Sequence, residues 1–198
     1  MTQLTEMQQD ALQELVNIGV GQAAGTLNEM VQSHIALQIP HVQLLSVVEA
    51  QEKLQQELDG EPMSAVQLGF NGSFAGVAQL VFPTTSALAL VAILTGEPLD
   101  GPDLDSLKIS TLNEVGNIVI NGVMGAIANT LEQYLEYDIP VYLEDTISHL
   151  LYNQVSANDA ILLAETRFEI QQLKVTGNII LVFRVGSLNA LLQALQIP

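Results

Sequence analysis

Cysteine and tryptophan are absent from this chain, and lysine and arginine together number only five. Without a thiol there is no disulfide framework and no thiolate chemistry. Zero Cys fits a reducing, cytoplasmic compartment. Against the five basic residues stand 22 acidic ones, a formal net charge of −17. A nucleic-acid phosphate backbone needs clustered Lys and Arg, so direct nucleic-acid binding is disfavoured. An anionic membrane surface would repel the chain for the same reason. An uninterrupted apolar run is missing too. The most apolar stretch, Phe74 to Leu94, is broken by Gln79, Pro83, Thr84, Thr85 and Ser86. It reads as a strand followed by a helix start, and membrane insertion is not expected. The N-terminal MTQLTEMQQD lacks the basic and apolar regions of a signal peptide.

What is present is apolar. Hydrophobic residues make up 48% of the 198, which argues against disorder despite the charge, and a chain this long can bury a proper core. An internal repeat organises it. Glu14, Asn17-Ile18, Gly25 and Ile39-Pro40 recur 100 positions later as Glu114, Asn117-Ile118, Gly125 and Ile139-Pro140. Gly76 and Leu80-Val81-Phe82 recur 101 later as Gly177 and Leu181-Val182-Phe183. The chain reads as one unit holding two copies, 1–100 and 101–198, related by a pseudo-two-fold and sharing a sheet or core.

Each copy reads as α-β-β-β-α. In the first, a helix runs from about Thr5, a candidate cap, to Met30, with Leu12, Val16, Gly19, Val20, Ala23 and Leu27 as its apolar stripe. A strand follows Pro40, and Gln51–Glu61 is loop or short helix. Strands at Ser64–Phe70 and Phe74–Phe82 flank an Asn71-Gly72 turn, and a helix runs from Thr84 or Thr85 to Leu94. A linker from Gly96 to Pro102 follows. The second copy predicts a helix from Asp105 to Glu136, a strand after Pro140, strands near Ala160–Ile170 and Asn178–Val185, and a helix over Ser187–Leu195. The fold class is α/β of the α+β type, with a largely antiparallel sheet and one long site-bearing helix per half.

Chemistry is concentrated on those long helices. Asp10, Glu14 and Asn17 share one face at i, i+4 and i+7, as do Ser110, Glu114 and Asn117. The carboxylate can grip a cation on a partner, and the carboxamide can direct a water without ionising. Gly21 and Gly25 continue the first face, and Asn121 and Gly125 the second; small residues there admit a close partner. A single Glu-x-x-Asn carries little weight, and a duplicated scaffold could retain two. Mid-helix Asn, however, costs about 0.5 kcal/mol against Ala, and both copies keep it. The glycine-rich run Gly19–Gly25 follows no strand, so it is not a dinucleotide loop. His34, His41 and His149 lack ligand spacing, so no metal site is expected.

The doubled pattern resembles the signature of the CheC/CheX/FliY family of chemotaxis phosphatases. That signature is Asp or Ser, three residues, Glu, two residues, Asn, then 22 residues and Pro. It stands here as Asp10–Glu14–Asn17–Pro40 and as Ser110–Glu114–Asn117–Pro140. Two sites in one chain resemble the CheC-type arrangement; CheX has one, FliY adds a C-terminal domain, and FliM shares the fold without the catalytic pair. The resemblance implies a phosphatase acting on the aspartyl-phosphate of the response regulator CheY. Glu14 and Glu114 would pair with the regulator's active-site Lys, and Asn17 and Asn117 would orient the attacking water. Asp10, Ser110, Gly21 and Asn121 would support the helix or the docking surface. No cofactor of the chain's own is implied, since Mg²⁺ belongs to the regulator. CheD is a further partner implied by the resemblance alone. The alternative is a non-catalytic adaptor that binds CheY, CheD or the flagellar switch.

Overall fold

The computed structural model describes residues 4–31, 35–58, 61–97, 104–152, 155–170 and 173–195. The elements run α1 (Glu6–Val31), β1 (Ile35–Ser46), α2 (Val47–Leu58), β2 (Met63–Gly72), β3 (Gly76–Pro83), α3 (Thr84–Thr95), α4 (Leu104–Thr130), β4 (Leu135–Tyr137), β5 (Val141–Asp145), α5 (Ile147–Tyr152), β6 (Ala160–Ile170), β7 (Leu173–Phe183) and α6 (Ser187–Ala194). Among the described residues the strands form one mixed-length sheet in the order β1-β6-β7-β3-β2-β4, with β5 also on β2. Every pairing is antiparallel, as the sequence predicts.

The order is symmetric about the β7–β3 pair. Each copy's hairpin receives its third strand from the other copy: β1 lies on β6, and β4 and β5 lie on β2. At the centre, Gly76 faces Phe183 across the ladder. A Cβ on Gly177 would lie 2.5 Å from the Phe82 ring, so both repeated glycines leave room where the two copies meet.

The sheet separates two apolar layers. On one side α1, α3, α4 and α6 cover Phe70, Leu80, Leu162, Ile179 and Phe183. On the other, Val47, Ala50 and Leu54 of α2 join Ile147, Leu150 and Leu151 of α5 over Ala65, Val81, Ile161 and Ile180. Because both faces are covered, β3 is buried along nearly its whole length and shows no alternation.

Several boundaries differ from the sequence expectations. Of the two readings for Gln51–Glu61 the short helix holds, starting four residues earlier as α2 and giving α-β-α-β-β-α in the first half, and the second half contains an unexpected short helix, α5. The strand expected after Pro40 starts five residues before it and ends at Ser46, and Val47 opens α2. A register shift between Gln38 and His41 explains why proline is tolerated: an extra residue is bulged out of an edge strand, where a missing N–H does little harm. Pro140 occupies the equivalent place, in the break between β4 and β5. The second long helix stops at Thr130, not Glu136, and the chain turns through Glu132 at φ 53°. Asn71-Gly72 is not a two-residue turn. Both residues pair with β4, and Ser73–Ala75 make the connection instead. The linker ends at Gly101-Pro102, outside the described residues.

Candidate functional site

Thr5 starts α1 with a reciprocal cap. Gln8 N donates to Thr5 Oγ1 at 3.3 Å, and Thr5 N donates to Gln8 Oε1 at 3.0 Å. Beyond it the apolar stripe turns inward: Leu12, Val16, Val20, Ala23 and Leu27 are buried. That leaves Asp10 and Glu14 exposed and Asn17 half-buried on the outer face. α4 repeats the arrangement. Leu112, Val115, Val119 and Val123 are buried, Ser110 and Glu114 are exposed, and Asn117 is half-buried. Among the described residues Asp10, Glu14 and Glu114 make no ion pair, so the carboxylates stand ready for an external cation.

The two helices cross at a pair of glycines. A Cβ on Gly19 would fall 2.5 Å from Gly122 O, and one on Gly122 would fall 2.7 Å from Gly19 O. The start of α1 meets the end of α4: Ala11, Glu14, Leu15 and Ile18 share a cleft of about 510 Å³ with Thr130, Leu131, Glu132, Ala194 and Leu195. The helices are therefore antiparallel, and Glu14 and Glu114 sit toward opposite ends of the pair, roughly 20 Å apart along it at 1.5 Å per residue. Beside Glu14 this cleft offers an apolar floor, with Ile18 40% exposed at its edge.

The supporting residues behave differently in the two copies. Gly21, Gly25 and Gly125 have open space where a side chain would stand, so the backbone is accessible at all three. Asn121 is not presented outward in the same way. Its Nδ2 donates to Asn117 Oδ1 at 2.7 Å. In the first copy Gly21 stands where the second has Asn121, and Asn17 receives no side-chain hydrogen bond among the described residues. Ser110 Oγ donates to Leu107 O at 3.1 Å, so its hydroxyl turns back on its own helix.

Sequence reasoning missed Lys108. It is a buried cation near the start of α4, with Nζ 3.2 Å from Glu144 Oε1 and 3.5 Å from Asp105 Oδ1, and 5.8 Å from the Tyr142 ring centroid. Burial pulls its pKa down, but the Glu144 hydrogen bond and the surrounding negative charge outweigh that, and the net shift is upward. Lys108 thus ties α4 to β5. An apolar-looking helix start contains no signal that its one lysine is buried.

The described residues include no cluster of three or more His, Asp or Glu that could hold a metal, and no helix long and apolar enough to cross a membrane. His149 Nδ1 lies 3.0 Å from Asp145 Oδ1, and His41 is exposed. His34 lies outside the described residues.

Comparison with known proteins gives the arrangement a context. No family model matches the chain. It is 28% identical over 142 residues to the CheY-P phosphatase CheC of Bacillus subtilis, covering 69% of this chain and 66% of that protein. It is 24% identical over 140 residues to the flagellar motor switch phosphatase FliY of the same organism, covering 70% of this chain and 35% of FliY. The chain thus spans less than two thirds of each relative. In structure it is similar to FliY of Thermotoga maritima, with a TM-score of 0.76 over 98% of both chains at 16% identity, which establishes the shared fold.

Proposed function

We propose that the chain, similar to the CheC and FliY proteins above, is a member of the CheC/CheX/FliY family and a phosphatase for the aspartyl-phosphate of a CheY-type response regulator. The observation that carries this reading is the doubled Glu–Asn pair on the outer faces of two helices whose apolar sides are locked together. The helix face docks over the regulator's phosphorylated pocket. Glu14 or Glu114 pairs with the regulator's lysine. In water such a pair is worth about 0–1 kcal/mol, but docking strips solvent from it and sets register more than affinity.

The carboxamide of Asn17 or Asn117 then holds a water in line with the phosphorus. The water oxygen attacks, the bond from phosphorus to the aspartyl oxygen breaks, and inorganic phosphate leaves with the water's protons while the carboxylate is restored. Little covalent work falls to this protein, so positioning accounts for the acceleration. Mg²⁺ would be held by the regulator, where it would neutralise charge on the phosphoryl group, and no residue of this chain is assigned to it. The net charge of −17 gives no long-range attraction to an acidic pocket, which leaves recognition to local contacts.

The test is decay of the phosphorylated regulator with wild-type protein, Asn17→Ala, Asn117→Ala and the double variant. Acceleration that survives each single substitution and vanishes in the double identifies two working sites. Binding without acceleration by the wild type would leave an adaptor that docks on the regulator.

A further inference from the structure

The outer faces of the two site helices are not equivalent, and the difference lies one turn beyond the water-directing asparagine. α4 carries Asn113, Asn117 and Asn121 at successive turns, where α1 carries Gln13, Asn17 and Gly21. Asn121 Nδ2 donates to Asn117 Oδ1 at 2.7 Å. The bond fixes the Asn117 carboxamide about its last torsion and occupies one acceptor lone pair. Its two amide hydrogens and the remaining lone pair keep a set direction.

Stability does not explain Asn121. Asn is a poor helix-interior residue, and the Asn121 Oδ1 is buried without a partner, which is unfavourable in itself. Alanine would fold about as well, since the helix-propensity cost and the unpaired oxygen offset what the one hydrogen bond contributes. We propose that Asn121 is a positioning residue for Asn117, so that the second site is preorganised and turns over faster, while the first works with an unrestrained carboxamide. This rests on the phosphatase reading above. A group that must be still in the transition state gains rate, not affinity, when it is already still in the free protein.

The experiment isolates each site. In an Asn17→Ala background, where only the second site works, Asn121→Ala is expected to lower kcat about two- to tenfold, the range a single hydrogen bond supports. KM for the phosphorylated regulator should move less than kcat, because Glu114 is untouched. Thermal stability should hold or rise, opposite to what a merely structural role predicts. In an Asn117→Ala background, Gly21→Asn has open space for its side chain and is expected to raise the kcat of the first site. The side-chain ¹⁵N order parameter of Asn117 should fall on Asn121→Ala, a readout independent of turnover. No acceleration by the wild type would defeat the phosphatase reading. Acceleration with an unchanged or higher kcat in Asn121→Ala would overturn the positioning role alone.

Discussion

A Cβ on Gly19 would fall 2.4 Å from Val123 Cα, and backbone of the partnering helix cannot step aside as a flexible side chain would. Two residues on, a Cβ on Gly21 meets nothing within 4 Å. Gly19→Ala should therefore force the site helices apart and destabilise the protein by about 1–3 kcal/mol. Gly21→Ala should stabilise it by about 0.5–1 kcal/mol, through the entropy glycine gives up in a helix. Urea denaturation of both variants checks the pair, and equal shifts in the same direction would refute the crossing geometry. The two glycines look alike in the sequence. Gly19 could be read as part of an apolar stripe because its neighbours at helical spacing are apolar, but the residues it must admit, Gly122 and Val123, belong to the other long helix, far along the chain. That Glu14 and Asn17 share one outward helix face was legible for the opposite reason: spacing on one helix needs no tertiary information. Which carboxamide Asn121 would reach, and that Lys108 would be buried against Glu144, depend on rotamers and on a strand 36 residues distant, and sequence spacing holds neither.

At the scale of elements, long helices with a sustained 3.6-residue period were readable; α2 was read only as loop or short helix and only from Gln51, and α5 was not read at all. The signal for α2 was nonetheless there, in Ser46-Val-Val-Glu49. Glu49 N donates to Ser46 Oγ at 3.2 Å, while Ser46 N and Oγ donate to Glu49 Oε2 at 2.8 and 2.7 Å, a closed capping box. The strand character of the preceding residues masked it, because Val47 and Val48 extend the β-like run across the true boundary. The box has a pH signature. The Ser46 side-chain and backbone hydrogen bonds hold the Glu49 carboxyl below its ordinary pKa. A depressed folded-state pKa gives stability that is present above the ordinary glutamate range and is lost as pH falls through the folded value. Glu49→Gln should thus melt below wild type at neutral pH, and the two curves should converge in acid. Melting temperatures measured from pH 7 to pH 3 decide it, and a gap that stays constant over that range would show that ionised Glu49 does not hold the box.

For the molecule as a whole, the exchange of β1 and β5 between the copies matters more than the resemblance between them. The repeat suggests two copies, but periodicity alone holds no information that the first strand of each half pairs with the hairpin of the other. The aromatic cluster makes the consequence concrete. Phe70 of the first copy packs edge-on against Phe183 of the second, ring centroids 5.7 Å apart, and Phe74 lies 6.3 Å from Phe70 and 6.2 Å from Phe183. All three rings are buried. Removing one ring should therefore not weaken its own copy alone. Phe70→Ala is expected to cost about 3–5 kcal/mol in global stability, the usual range for emptying an aromatic site in a packed core. Because β3 and β7 are joined at the centre and the outer strands are exchanged, that loss should appear equally in amides of β3 and of β7 by native-state hydrogen exchange. Retained protection in β7 with protection lost in β3 would mean that the two halves open independently. Equal loss means that α1 and α4 rest on one cooperative support, so a change that loosens either site helix from the sheet is felt at both Glu–Asn pairs.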